Sequence, residues 1–377
     1  MILGHLNGND IKMETNSIKD KKILFICFPF YEYEKLIKKE LENLGAEVDF
    51  YPGKFHKEDF RDNSNFIVAF VSFLLNPLYK KKYTKGLYDY IRAKNKIYDI
   101  LFVIQTYPAS KGLIKKLKTE NPLFKSYIYF WDAFSLYNYS NKIKYFDYAF
   151  SLDRADCKKH KGLKHLHGFY PDINVNNRKK NIIYDWSYIG SVYPMSSYRI
   201  DFINKLIENS KRQNLSFYAR LKYYKVKLPN SKFIKLFKNI YYNIFHPKHV
   251  SFFRKIQKYL SKNFLFTDTI KLETVLEIQS QSRCIIDINY RKRSGITFQC
   301  FPVIAENKKL ITTNKYIAYE DFFNPNNILI IDEKDPYIAL EFLQKSCVPV
   351  DISYLRLDNW LKTIFNIGNI PPRYMIT

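Results

Sequence analysis

The sequence predicts two α/β domains, each built on a largely parallel sheet with helices on both faces, set opposite one another across a cleft. Three observations carry this. Apolar runs of strand length alternate with helical patterns from residue 21 to residue 170, and again from residue 186 onward. The runs are apolar almost throughout, as strands buried on both faces require. A polar, Asn-rich stretch, PDINVNNRKKNIIYD (171–185), separates the two series and reads as a linker.

In chain order, KKILFICFPF (21–30) is a buried strand, and YEYEKLIKKELENLGA has a helical pattern ending near Gly45. EVDFY (47–51) is the second strand. Residues 58–96 read as helix in two or three pieces, broken around Asn76-Pro77. YDILFVIQT (98–106) is a strand, 109–119 a basic helix, SYIYFWD (126–132) a strand and YAFSLD (148–153) a short one. In the second series WSYIGS (186–191) is strand then turn, 196–210 a helix, LSFYARL (215–221) a strand, 271–282 a helix and RCIIDIN (283–289) a strand. A helix over 296–306, strands at 309–313 and 328–332, and helices at 336–346 and 354–366 complete it. The expected domains are 21–170 and 186–350, after a tail over 1–20. A C-terminal helix and tail, 351–377, are expected to pack back on the first domain.

The chain of 377 residues suits two domains of ordinary size, and 46% hydrophobic content with 32 Tyr and 31 Phe supplies their cores. No run of about 18 uncharged apolar residues occurs, so no transmembrane helix is expected. The first 20 residues lack the apolar centre of a secretion signal. Cys27, Cys157, Cys284, Cys300 and Cys347 are odd in number, widely spaced and without metal-ligand spacing, which suggests thiols in a reducing compartment. A formal net charge of +25 asks for an anionic partner: phosphorylated substrates, an anionic membrane surface or nucleic acid.

Two strand-to-helix turns carry the chemistry. Strand 283–289 runs into the loop Tyr290–Gly295, with Arg291, Lys292, Arg293 and Ser294 ahead of a helix expected to start near Ile296 or Thr297. Free N–H groups at such a start, the added cationic charges and a glycine for close approach suit a diphosphate. YIGSVYPMSSYR (188–199) repeats the logic: Gly190-Ser191 turns off a strand, and Arg199 can fold back on a ligand. A third segment, 217–263, lies in a stretch from Ser210 to Thr267 without any Asp or Glu. Its basic residues alternate with Phe, Tyr, Ile and Leu at roughly helical spacing, which suits an anionic membrane surface; the competing expectations are a basic helical insertion packed on its own domain and RNA binding with aromatics stacked on bases.

GITFQCFPVIAENKKLITTN (295–314) resembles, without gaps, the C-terminal segment of bacterial glycosyltransferases of the GT-B fold that build capsule, exopolysaccharide and lipopolysaccharide. YEDFFNPNNILIID (319–332), YFWDAF (129–134), FDYAFSLDRADCKKH (146–160) and the IGSVYP…YR turn are similar to the same family, so the resemblance spans most of 21–366 apart from 217–262. It implies sugar transfer from a nucleotide-sugar donor to a surface glycan or lipid-linked acceptor on the cytoplasmic side, and the basic segment 217–263 is expected to hold the protein peripherally on the plasma membrane. The second domain would hold the donor through Gly190, Ser191, Arg199, Arg220, Arg291, Arg293, Ser294, Gly295 and Thr297. The first would hold the acceptor, with Asp132 the candidate general base and Asp153, Asp156 and His167 its rivals. No Asp-x-Asp pair ends a strand, so no metal is expected, and no cofactor beyond the donor itself. Two departures stand out: the family's Arg falls on Gln299, and the Glu that holds the donor ribose falls on Pro302. Glu306, one turn on, is the expected replacement. The alternatives are a GT-B-like protein that binds glycan or nucleotide without transfer and, with no RNA-binding signature in its favour, a basic nucleic-acid binder.

Overall fold

The structure, a computed structural model, describes residues 17–30, 32–53, 81–105, 109–136, 139–171, 181–223, 247–259, 263–268 and 270–367. The apolar runs form two six-stranded sheets in which every paired strand is parallel. The first contains β1 (Lys22–Cys27), β2 (Glu47–Pro52), β3 (Ile100–Ile104), β4 (Lys125–Phe130), β5 (Tyr148–Ser151) and β6 (Leu163–His165), in the order β2-β1-β3-β4-β5-β6. Successive side chains of β1 feed opposite cores, as a pleated strand buried on both faces requires. Ile23, Phe25 and Cys27 face helix α1 (Tyr33–Asn43), whereas Leu24 and Ile26 face the helix over 81–94, here α2, and α3 (Lys111–Glu120).

The second sheet contains β7 (Tyr184–Ser191), β8 (Phe217–Lys222), β9 (Leu265–Phe266), β10 (Ser282–Asp287), β11 (Lys309–Thr312) and β12 (Ile328–Ile330), in the order β12-β11-β10-β7-β8-β9. One face is covered by α5 (Tyr198–Arg212) and α6 (Pro247–Tyr259), the other by α8 (Cys300–Ala305). The remaining α-helices among the described residues are α4 (Arg154–Lys159), α7 (Leu272–Ser280), α9 (Leu340–Gln344) and α10 (Leu357–Phe365). Helix α10 returns to the first domain, where Leu357, Trp360, Leu361, Ile364 and Phe365 join the core on the α1 side. The chain thus crosses between domains at two adjacent points, and Tyr170 exchanges backbone hydrogen bonds with Leu355 and Leu357 there.

The GT-B-like arrangement, two parallel α/β domains face to face, is the one the sequence predicts. The departures are local. The strands β6 and β9 and helix α4 were not expected: an edge strand of two or three residues offers no periodicity to detect. The helix expected over 296–306 begins only at Cys300; 296–297 is irregular and 298–299 a turn. Pro302 then falls in the first turn, where its missing N–H costs nothing. Most of the expected linker, and residues 58–80 of the first helical region, lie outside the described residues. Among the described residues no helix is long and apolar enough to cross a membrane.

Candidate functional site

Ligands of open parallel sheets bind beyond the carboxyl ends of the strands, where the strand order reverses. In the second domain that point lies between β7 and β10, because the chain runs outward from β7 to β8 and β9 and then restarts on the other side. Arg199, in the first turn of α5, spans it. Its Nη1 donates to the carbonyl of Ser191 (2.9 Å) and its Nη2 to that of Ile288 (2.7 Å). The guanidinium therefore ties the two strand ends together, which the sequence does not reveal. Its Nε–H is buried without an acceptor among the described residues, as are those of Arg220 and Arg293. Arg220, two residues before the end of β8, lies with its guanidinium 4.3 Å above the Phe266 ring. A buried donor left unpaired costs on the order of 1–3 kcal/mol, so each of these three arginines holds a donor that no described residue satisfies.

Gly190 is demanded from within. A Cβ there would stand 2.4 Å from the hydroxyl of Tyr188, which lies on the same strand face two residues back. Burial pushes that hydroxyl's pKa up to about 12, so it stays protonated beside Arg199.

The basic loop before α8 is a different matter. Its backbone amides, expected to receive a diphosphate, are already bound by a carboxylate of the first domain. Asp153 accepts the N–H of Ser294 (2.7 Å) and Gly295 (3.2 Å) at Oδ2, and the Ser294 hydroxyl (2.7 Å) at Oδ1. Its Oδ1 also accepts the N–H groups of Ala155 (3.0 Å) and Asp156 (3.2 Å), capping α4. At 1% exposure with both oxygens occupied, Asp153 is not placed to take a proton from an acceptor. The expected catalytic alternative is corrected to a clamp between the domains. Gly295 and Ser294 are corrected with it: a Cβ on Gly295 would stand 1.9 Å from Cδ1 of Leu152 and 2.6 Å from its carbonyl oxygen. The close approach that this glycine permits is to the other domain.

The loop's cations are divided. Arg291 lies over the Tyr198 ring at 4.2 Å and pairs with Glu333, so its charge is matched at the surface. Arg293 reaches across the junction, its Nη2 donating to the carbonyl of Trp131 (3.1 Å), next to Asp132. Thr297 is half-buried and accepts the N–H of Cys300 at its carbonyl. The following Phe298 inserts among Tyr33, Trp131 and Phe169 of the first domain.

Two further expectations change. His167 is 2% exposed, and its Nε2 lies 3.0 Å from Glu320 of the second domain, which also binds Arg154 (2.5 Å). His165 beside it stays neutral, its pKa pushed down to about 2 chiefly by burial. His167 is thus a residue buried at the domain junction and paired with Glu320. Glu306 caps the end of α8, three residues before β11 begins, and pairs with Lys308, which donates to the carbonyl of Gln279. In a parallel sheet this is the amino-terminal edge, opposite the crevice, so Glu306 cannot replace a ribose contact there. Gln299 donates to Asp287 (3.1 Å), whose other oxygen accepts from Thr312 (2.8 Å).

Asp132 does stand at the crevice, half-buried just past the end of β4. Gln105, which the sequence did not single out, holds it: Nε2 donates to Oδ2 (3.0 Å), and the Asp132 N–H donates to Oε1 (2.6 Å). Gln105 is buried at the end of β3 with φ of 26°, a left-handed backbone costly to any residue but glycine. Its neighbour Thr106 falls outside the described residues. The rival Asp156 accepts the N–H of Phe134 (2.6 Å), and burial raises its pKa.

Of the basic segment 217–263, residues 224–246 and 260–262 lie outside the described residues. The described helix α6 turns Phe252, Ile256 and Tyr259 into its own domain's core and leaves Arg254 and Lys258 at the surface. For these residues the apolar stripe belongs to the fold, not to a lipid surface.

No protein-family model matches the sequence, and comparison with curated proteins gives no match. Solved structures do. The chain is similar to the E. coli trehalose-6-phosphate protein bound with UDP-2-fluoro glucose, at 10% identity and a TM-score of 0.51, covering 92% of this chain and 96% of that one. It is also similar to the N-terminal domain of Candida albicans trehalose-6-phosphate phosphatase, at 9% identity and a TM-score of 0.50, covering 93% of this chain and 97% of that one. At such identities the likeness speaks for the fold, and that fold is GT-B-like.

Proposed function

We propose that this protein transfers a sugar from a nucleotide-sugar donor to a glycan or lipid-linked acceptor. The supporting observation is the set of unsatisfied guanidinium donors of Arg199, Arg220 and Arg293 near the crevice. A diphosphate would satisfy them and have its charge neutralised by arginine. The acceptor sits on the first domain. Its hydroxyl oxygen bonds the sugar's anomeric carbon as the bond from that carbon to the diphosphate breaks, and Asp132 takes the hydroxyl proton. Gly190 and Ser191 line the donor side. Capsule, exopolysaccharide or lipopolysaccharide synthesis at an anionic membrane surface is the setting that the sequence resemblance suggests.

A second reading, binding without transfer, is favoured by one observation: Asp153 fills the amides of Ser294 and Gly295. A thermal-shift panel of UDP-, GDP-, CMP- and dTDP-sugars tests the proposal, since a ligand that binds the folded chain raises its melting temperature. Stabilisation by one nucleotide class, lost on Arg220→Ala, is expected. A flat panel overturns the proposal, and nucleotide binding without transfer with it. Stabilisation without release of free nucleotide on adding glycan acceptors favours the second.

A further inference from the structure

The outer face of the first domain carries a cationic cavity that the crevice chemistry does not use. It lies between α3 and the short helix Ser140–Tyr145, has a volume of about 350 Å³, and is lined by Lys111, Ile114, Lys115, Lys118, Lys144 and Tyr145, with Thr119 at its edge. Ile114 and Tyr145 pack into the core on the α2–α3 side of the sheet, so they form an apolar floor. The lysines form the rim. Lys118 is neutralised by Asp147 at 2.6 Å. Lys111, Lys115 and Lys144 have no carboxylate partner among the described residues. Two of them share one aromatic ring: the ammonium of Lys111 is 6.0 Å and that of Lys144 5.4 Å from the centroid of Tyr145.

Three unmatched cations around one cavity repel one another, and the ring quadrupole offsets only part of that. A bound anion would relieve it. Compact ammonium groups suit phosphate as a point charge, and an apolar floor suits the carbon body attached to it. We propose that this cavity binds a phosphate-bearing ligand, its phosphate held by Lys111, Lys115 and Lys144 and its body laid on Tyr145 and Ile114. The phosphate comes either from a free phosphomonoester or from an anionic lipid headgroup.

The test must separate this site from the general +25 charge of the chain. Three full-length proteins are compared at physiological ionic strength: the unmodified chain, Lys111→Ala/Lys115→Ala/Lys144→Ala, and a control of equal charge change, Lys158→Ala/Lys159→Ala/Lys164→Ala. All six side chains are exposed, and equal melting temperatures verify folding. The probes are glycerol 3-phosphate by calorimetry, with glycerol as the uncharged control, and sedimentation with phosphatidylglycerol or phosphatidylcholine vesicles. Binding to at least one anionic probe is expected to weaken tenfold or more in the cavity variant and less than threefold in the control. Glycerol 3-phosphate binding identifies a free ester as the source, and phosphatidylglycerol binding alone identifies a headgroup. Equal weakening in both variants, binding to the cavity variant that is unchanged, or no binding of either probe to the unmodified chain would overturn the proposal.

Discussion

The turn after β7 and the loop after β10 share a design in sequence, a strand leading past a glycine into a helix with arginine close by, and the fold puts them to opposite uses. After β10 the loop is closed. Asp153 of the first domain takes its free amides and the Ser294 hydroxyl, and Gly295 seats against Leu152. After β7 the turn remains unsatisfied among the described residues: Arg199 ties two strand ends together and still holds a buried Nε–H without an acceptor there, as does Arg220 on the next strand. A carboxylate accepting backbone N–H groups is chemically what a phosphate would be in the same place. An anion site and a domain clamp can therefore share one local sequence, and the identity of the anion decides between them.

The largest expected effect tests the closed side. Asp153→Ala strips the cap of α4 and leaves the buried amides of Ser294 and Gly295 unpaired. A loss of about 4 kcal/mol is expected by denaturant unfolding. Asp153→Asn retains an acceptor oxygen and is expected to lose about half of that. A loss under about 1 kcal/mol for the alanine variant would show that water replaces the carboxylate and that the clamp is weak. Gly295→Ala comes next: its methyl group meets a backbone carbonyl that cannot rotate away, and about 3 kcal/mol of destabilisation is expected. Thermal melting that is unchanged would mean that the junction yields.

The open side calls for a binding experiment. Arg220→Ala is expected to weaken the nucleotide-sugar identified by the thermal-shift panel by at least tenfold, about 1.4 kcal/mol, while Arg291→Ala and Glu306→Gln change it less than twofold. Arg291 is neutralised by Glu333, and Glu306 lies at the wrong edge of the sheet. The reverse ranking would return the donor to the β10 loop.

The smallest effect concerns acid stability at the α10 return. Hydrogen bonds from Arg356 (2.6 and 2.9 Å), the largest influence, and from Lys362 (3.1 Å) hold the Asp358 carboxyl well below the usual carboxylate range. A depressed pKa contributes stability above the unfolded-state value near 4, and that contribution is lost as pH falls through the folded-state value. Because Arg356 is partly exposed, the pair is worth only about 1 kcal/mol. Asp358→Asn should therefore lower stability at pH 7 and flatten its decline below pH 4. Parallel acid-unfolding curves for the two proteins would rule this out.

Composition and pattern determined the two parallel sheets. Runs such as ILFIC and ILFVI have no polar face, so each must be covered on both sides, and that condition alone selects helices packed on two faces. Asp132, at the end of such a run, is placed at the crevice by the same logic. The partners of the polar groups were decided only by tertiary structure. Asp153 meets Ser294 across 141 residues of sequence and Gln105 meets Asp132 across 27, contacts that no local spacing encodes. Glu306 was misjudged because helical periodicity specifies a face of α8 but not the edge of the sheet at which that short helix ends. Hydrophobic burial is set by residue type and period and can be read along the chain. Hydrogen-bond satisfaction depends on which donors and acceptors the folded domains bring within about 3 Å of each other, and only packing the domains together decides that.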